Sequence, residues 1–259
     1  MLLEICGSAG SYPAPGRACS SYLVREDTYQ LLLDVGNGSM ANLFAFTTPD
    51  LVDAVVITHE HTDHLADFVG LFHYRRYASH PQRKLVLCCT PGVVRNLSQL
   101  ISDSALESLV EVVLLEDDLT LRLGPFNLWS RSMAHPVETY GLRIRGSDGA
   151  ELSYSADTGP CEALEALSSG TDLLLCESTW ISDNPHYPRD LHLSADLAGA
   201  YARLGGVGHL VLTHVAYPNS PAEALRAARA EAPMIRIDSA SDRDVYVVGP
   251  RVEPKGILR

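Results

Sequence analysis

Thr58-His59-Glu60-His61-Thr62-Asp63-His64 follows directly on the apolar run Val55-Val56-Ile57. The stretch packs His59, His61, Asp63 and His64 into six consecutive positions. A strand would send neighbouring side chains to opposite faces, and a single helical turn would fan them around its axis. A tight loop after a strand can instead turn them towards two adjacent points. Imidazole and carboxylate suit Zn²⁺ and its neighbours Fe, Mn and Co, and a catalytic site keeps one position open for water. The run therefore predicts a catalytic metal centre delivered by the strand Asp53–Thr58.

Working outward, strand-like runs alternate with turn signals and helix-like segments along the whole chain. Leu2–Cys6, Ser21–Val24 and Tyr29–Val35 read as strands, the last broken by Gly36-Asn37-Gly38. Leu65–Tyr77 is apolar at helical spacing and ends on Arg75 and Arg76, which suits a helix C-terminus. Lys84–Cys89 reads as a strand, with Thr90-Pro91 opening a helix. Val110–Leu115, Leu121–Leu123, Phe126–Trp129, Thr139–Arg145 and Glu151–Ser155 form a strand-rich middle, with a hairpin turn at Gly146–Gly149. Helices at Pro160–Leu167 and Ser194–Leu204 then alternate with strands at Asp172–Cys176 and His209–Thr213. Ser220 and Glu223 have the spacing of a capping box for a last helix, and Ile235–Ile237 and Val245–Val248 read as closing strands. No repeat, low-complexity tract or linker interrupts residues 1–259, so the expectation is one domain. Two halves of this kind predict two sheets packed face to face with helices outside.

Composition narrows the partners. A formal net charge of −12 and only two lysines, Lys84 and Lys255, leave no basic stripe for a long tRNA or DNA. Six cysteines without a Cys-x-x-Cys pair read as small buried residues in a reducing compartment. No basic-then-apolar leader and no apolar run of about 18 residues is present, so the expectation is a cytoplasmic chain without membrane contact.

A two-metal site needs more ligands than the loop holds. Three residues sit just past a strand end: His135 after Phe126–Trp129, Asp157 after Leu152–Ser155, and His214 after Leu210–Thr213. Taken singly each would be unremarkable; beside a four-ligand loop they complete a coordination set.

The order Thr-His-x-His-x-Asp-His, lone His135, Ser155-Ala156-Asp157-Thr158-Gly159 and Leu212-Thr213-His214 resembles the metallo-β-lactamase superfamily over essentially the whole chain. Gly7-Ser8-Ala9-Gly10 with Pro13, Arg17 and Ser20, and Leu191-His192-Leu193-Ser194-Ala195, resemble its ribonuclease Z-like phosphodiesterase branch. Gly70-Leu71-Phe72, Arg75-Arg76-Tyr77, Cys176-Glu177-Ser178-Thr179-Trp180 and Asp190–Ser194 are similar to actinobacterial atypical 3′,5′-cyclic-nucleotide phosphodiesterases. The resemblance implies an α/β fold, a four-layer αββα sandwich of two mixed sheets. It also implies two divalent ions, Zn²⁺ foremost with Mn²⁺ or Fe²⁺ as alternatives. His59, His61 and His135 would hold one, Asp63, His64 and His214 the other, and Asp157 would bridge them.

Asp157 stands where true β-lactamases usually carry cysteine, and His61 where flavodiiron enzymes carry glutamate. Ala156 departs from the glycine common in this branch. By the same resemblance Asp63 would orient the nucleophile and His192 would lie near the phosphate, as acid or as phosphate ligand. Arg17 is a candidate phosphate contact, and Tyr12, Trp180 and Tyr187 are candidates for stacking on a base. The implied activity is hydrolysis of a small phosphodiester, cAMP or another 3′,5′-cyclic nucleotide, to the 5′-monophosphate. Only 22 positions separate His135 from Asp157, which leaves no room for the long basic arm of the tRNA 3′-processing relatives. A tRNA 3′ endonuclease or a thioester or lactone hydrolase are the alternatives, and a homodimer is compatible with either.

Overall fold

The computed structural model describes residues 1–79, 81, 83–182, 186–188 and 190–249. His80, Lys255 and the other residues from 250 to 259 fall outside them. In the N-terminal half, β1 (Leu2–Gly7), β2 (Ser21–Glu26) and β3 (Tyr29–Leu33) run antiparallel, and β4 (Ala54–Ile57), β5 (Leu85–Cys89) and β6 (Val110–Leu114) continue in parallel. Helices α1 (Ser39–Leu43), α2 (Thr62–Leu65), α3 (Phe68–His73), α4 (Pro91–Leu100) and α5 (Asp103–Leu109) lie in the connections. The second sheet begins with antiparallel β7 (Thr120–Leu123), β8 (Phe126–Ser132), β9 (Tyr140–Arg145) and β10 (Glu151–Tyr154). Parallel β11 (Leu173–Glu177), β12 (His209–Thr213) and β13 (Arg236–Ser239) follow, linked through α6 (Glu162–Ser168), α7 (Ala195–Leu204) and α8 (Pro221–Glu231). β14 (Val245–Val247) crosses back to pair with β1, giving orders β14-β1-β2-β3-β4-β5-β6 and β13-β12-β11-β10-β9-β8-β7.

The period-2 geometry of a strand separates the core into layers. Ala54 and Val56 of β4 face the space between the sheets with Leu31, Leu33, Leu142, Leu152, Tyr154 and Leu175. Val55 and Ile57 face outward under Phe68, Phe72, Val93 and Leu97. Leu174, Cys176, Leu210 and Leu212 back the other sheet against the alanine-rich α7 and α8. Cys88 and Cys89 fall in different layers, as adjacent strand residues must. Burial pushes the Cys88 and Cys89 thiols up to about 12, consistent with inert packing residues. Among the described residues no helix is long and apolar enough to cross a membrane.

Three local expectations are corrected. Leu65–Tyr77 is not one helix: α2 ends at Leu65, α3 starts at Phe68, and Tyr74–Ala78 winds as a π-helix. The break is pinned where the Asp67 amide donates to the Val35 carbonyl and the Asp67 carboxylate accepts from the Met40 amide. Arg75 does not complement its own helix end. It is buried and donates to the carbonyls of Pro49, Val52 and Arg83, which ties the helix to the segment feeding β4. Ser220 precedes α8 but forms no side-chain cap, so the capping-box spacing is not used. Thr90 behaves as expected, its hydroxyl accepting from the Val93 amide at the start of α4.

Candidate metal centre

The ligand run leaves β4 as a short loop and then becomes helical, with His61 at the N-terminal flank of α2 and Asp63 and His64 in its first turn. The loop sends His59 and His61 one way, and the helical turn sends Asp63 and His64 the other. Glu60 between them anchors the loop to α4, accepting from Arg95 at 3.1 Å while its carbonyl accepts from Asn96. His135, Asp157 and His214 arrive from the ends of β8, β10 and β12 at the same edge of the sandwich. All seven expected ligands are brought together, in two sets that share Asp157.

In the first set, His59 Nε2 lies 3.1 Å from His61 Nδ1, and His135 Nε2 lies 3.2 Å from the same atom. In the second, His214 Nε2 lies 3.3 Å from His64 Nε2 and 3.2 Å from Asp63 Oδ2. Asp157 turns Oδ1 to the second set, 3.3 Å from both His64 and His214, and Oδ2 to the first, 3.7 Å from His59. Four donors about 2.0–2.1 Å from a tetrahedral ion stand roughly 3.3 Å from one another, which is the spacing found.

The far side of each ring decides what its inner nitrogen is. His64 Nδ1–H donates to Asp34 Oδ2 at 2.8 Å, and His135 Nδ1–H donates to the Leu191 carbonyl at 2.8 Å. The Thr179 hydroxyl donates to Glu177 and so must accept from His214 Nδ1–H, again at 2.8 Å. The Thr58 hydroxyl likewise donates to Asp34 and accepts from His59 Nδ1–H. With their protons spent outward, these rings point bare lone pairs inward. Asp157 Oδ1, buried and without a hydrogen-bond donor, faces two of them. Acceptors facing acceptors in a dry site call for a cation, so the residues fit divalent ions.

The electrostatics agree. Burial opposes a charge on His64, but Asp157, Asp34 and Asp63 outweigh it and push its pKa well above the usual imidazole range. Burial likewise opposes ionisation of Asp63, yet His64 and His214 hold it well below the usual carboxylate range. His59, buried beside His64, is driven well below the usual value. The second set is thus an anionic hole that stabilises a positive charge, whereas burial holds His59 and His135 of the first below the usual imidazole value.

His192 stands at the open side between the sets, its ring centre 5.5 Å from His135 and 5.3 Å from His214. Its Nδ1–H donates to Glu177 Oε1 at 3.0 Å. Burial lowers the His192 pKa, but the charge and hydrogen bond of Glu177, with Asp157 and Asp63, raise it to about 9. Glu177 is itself fixed by the Thr158 amide and the Thr179 hydroxyl.

The opening loop closes over the second set. Ser11 N–H donates to Asp63 Oδ2 at 2.8 Å, and a side chain on Gly10 would strike the His214 ring, 2.5 Å from Nδ1. A side chain on Gly36 would meet the Asp63 carbonyl at 2.0 Å. Arg17 lies at the edge of this loop, its Nη1 donating to the Val215 carbonyl at 3.2 Å. Backbone strain gathers here: Ser11, Asp34, Ala156 and His214 have φ of 61°, 55°, 52° and 56°. The left-handed turn at Ala156 explains why glycine suits that position before the bridging aspartate.

Four residues that shape the centre were given no role from the sequence: Asp34, Tyr154, Glu177 and Thr179. Asp34 accepts from Thr58, His64 and Tyr154 together. Its signal was a lone carboxylate ending the apolar strand Leu31–Leu33, just before Gly36. Glu177 and Thr179 lie in the Cys176–Trp180 stretch, where composition alone assigns them no role.

Comparison with known proteins supports the same reading. The beta-lactamase superfamily domain model matches residues 29–215. A Mycobacterium tuberculosis protein described as uncharacterized is 36% identical over 238 residues, which cover 88% of this chain and 86% of that one. The probable metallo-hydrolase YhfI of Bacillus subtilis is 29% identical over 216 residues, covering 83% and 87%. The crystal structure of YhfI has a TM-score of 0.85 at 25% identity, covering 95% of this chain and 98% of that one. Ribonuclease Z of Streptomyces coelicolor is 26% identical over 274 residues, covering 88% and 91%.

Proposed function

The chain belongs to the beta-lactamase superfamily and is a metal-dependent hydrolase, and on that premise we propose that it cleaves a small phosphodiester, a 3′,5′-cyclic nucleotide such as cAMP, to the nucleoside 5′-monophosphate. The observation that carries this reading is His192. It is an imidazole held by a carboxylate at the open side of the ligand sets, positioned to give a proton to a leaving oxygen. Two divalent ions, zinc in this reading, would supply a nucleophilic water near neutral pH and offset the charge of the phosphate oxygens.

The chain's own residues do the rest. Asp63, held by Ser11 N–H, orients the attacking water opposite the 3′-oxygen. Protonated His192 donates from Nε2 to the departing 3′-oxygen, while Glu177 retains Nδ1–H and stabilises the imidazolium. The Glu177 carboxylate favours the charged form of His192. The interval from His135 to Asp157 is filled by β9, β10 and their turn, which favours a small substrate over a long nucleic acid.

The test is a substrate panel on metal-loaded protein: cyclic nucleotides, bis(p-nitrophenyl) phosphate, a pre-tRNA, a lactone and a thioester. His192→Ala should cut kcat on cAMP by about 10²–10⁴. The loss should shrink on bis(p-nitrophenyl) phosphate, whose leaving group needs no proton. Rapid lactone or thioester turnover with none of any cyclic nucleotide overturns the assignment.

A further inference from the structure

Exposed aromatic side chains gather around this centre. Tyr12 follows Ser11, whose amide touches Asp63, and Tyr217 lies just beyond His214. Trp180 and Tyr187 stack with ring centres 4.2 Å apart and planes 23° from parallel. Trp180 also meets His192 edge to face, at 5.7 Å and 85°. The backbone fixes this geometry: Trp180 N–H donates to the Leu193 carbonyl and Ala195 N–H to the Trp180 carbonyl, so the tryptophan is laced to the segment bearing His192. Pro160, Pro188 and Leu197 complete an apolar recess beside the pair. The stack ends in solvent, with Tyr187 37% exposed.

Resting on the cyclic-nucleotide reading above, we infer that the Trp180–Tyr187 stack is the shelf that receives the base. The base adds to the outer face of Tyr187, and the phosphate lies beside His192. Every nucleobase offers a π-face, and base stacking on an aromatic side chain is sequence-tolerant. The shelf therefore accepts purines and pyrimidines, with purines held more tightly because they overlap more of the ring.

The experiment compares two ligands that differ only in the base. Adenosine 5′-monophosphate and ribose 5-phosphate are titrated by calorimetry into the metal-loaded full chain. The wild type should bind the nucleotide about 5- to 150-fold more tightly, the range that one stacked base contributes. Tyr187→Ala should bring that ratio close to one while affinity for ribose 5-phosphate and bound metal stay unchanged. Tyr187→Phe should keep the ratio. A ratio near one in the wild type, a ratio preserved in Tyr187→Ala, or equal loss of both ligands in that variant overturns the shelf. The ratio is measured without turnover. A chain that shows it yet hydrolyses no cyclic nucleotide keeps the shelf and loses the functional reading. Hydrolysis with an unchanged ratio does the reverse.

Discussion

The His59–His61–His135 set and the Asp63–His64–His214 set meet at Asp157 but sit at different depths. Every residue of the second is buried, whereas His61 and His135 are partly exposed. The second set contains its own carboxylate, Asp63, and has Asp34 behind His64 and the Thr179–Glu177 pair behind His214. The first has three imidazoles and a share of Asp157, and its His135 ring rests on a backbone carbonyl. Buried charge without a counter-charge is costly, so the second set gains most from an ion and releases it least readily. An ion held by the first would be reachable from solvent past the partly exposed His61 and His135. One set is built to hold, the other to present.

The largest expected effect removes what the two share. Asp157→Ala should weaken both ions by more than the roughly 10–100-fold that loss of an outer-shell partner costs, and abolish turnover with them. Elemental analysis showing unchanged metal content would break the bridging assignment. Asp34→Asn acts behind the ligands. Because Asp34 accepts directly from His64 but reaches His59 only through Thr58, the variant should cost the second set about 10–100-fold in affinity and the first set less. Competitive chelator titration reads both, and equal losses would show that the Thr58 relay matters as much as the direct bond.

Metal removal probes the depth difference without mutation. Chelation should be biphasic, the first set losing its ion before the second, while release in a single phase would erase the distinction drawn here. The smallest effect is at Ala156→Gly. Glycine relieves the left-handed strain at φ 52° but loses a buried methyl and gains unfolded-state entropy. The net change in stability should stay within about 1 kcal/mol, with metal content unaltered. A larger loss on thermal melting would mean that the methyl packs between the sheets more tightly than its strain costs.

Where local chemistry decided the outcome, the sequence was legible. Thr90-Pro91 opened α4 because a hydroxyl cap and a proline need only their neighbours. The strand pairs around Gly146–Gly149 followed from alternation and a turn. The Leu65–Tyr77 run misled because its periodicity is real but its continuity is overruled by distant partners, Met40 at Asp67 and the Pro49–Val52 carbonyls at Arg75. Ser220 misled because a cap spacing is a permission, and the backbone at that corner does not use it.

By itself the sequence determined the donor set: which imidazoles and carboxylates exist, that they follow strand ends, and that aspartate rather than cysteine stands at position 157. Those facts are local, since a strand end and a ligand type are properties of a few adjacent residues. The family resemblance implied how the donors divide into two sets, and only the tertiary structure decided which nitrogen each ring offers. It alone set Asp34 and Glu177 behind them. His64 and His214 are 150 positions apart yet their Nε2 atoms face each other at 3.3 Å. The lone pair a histidine presents depends on where its other nitrogen spends its proton, and that partner comes from whichever strand the sandwich has laid alongside.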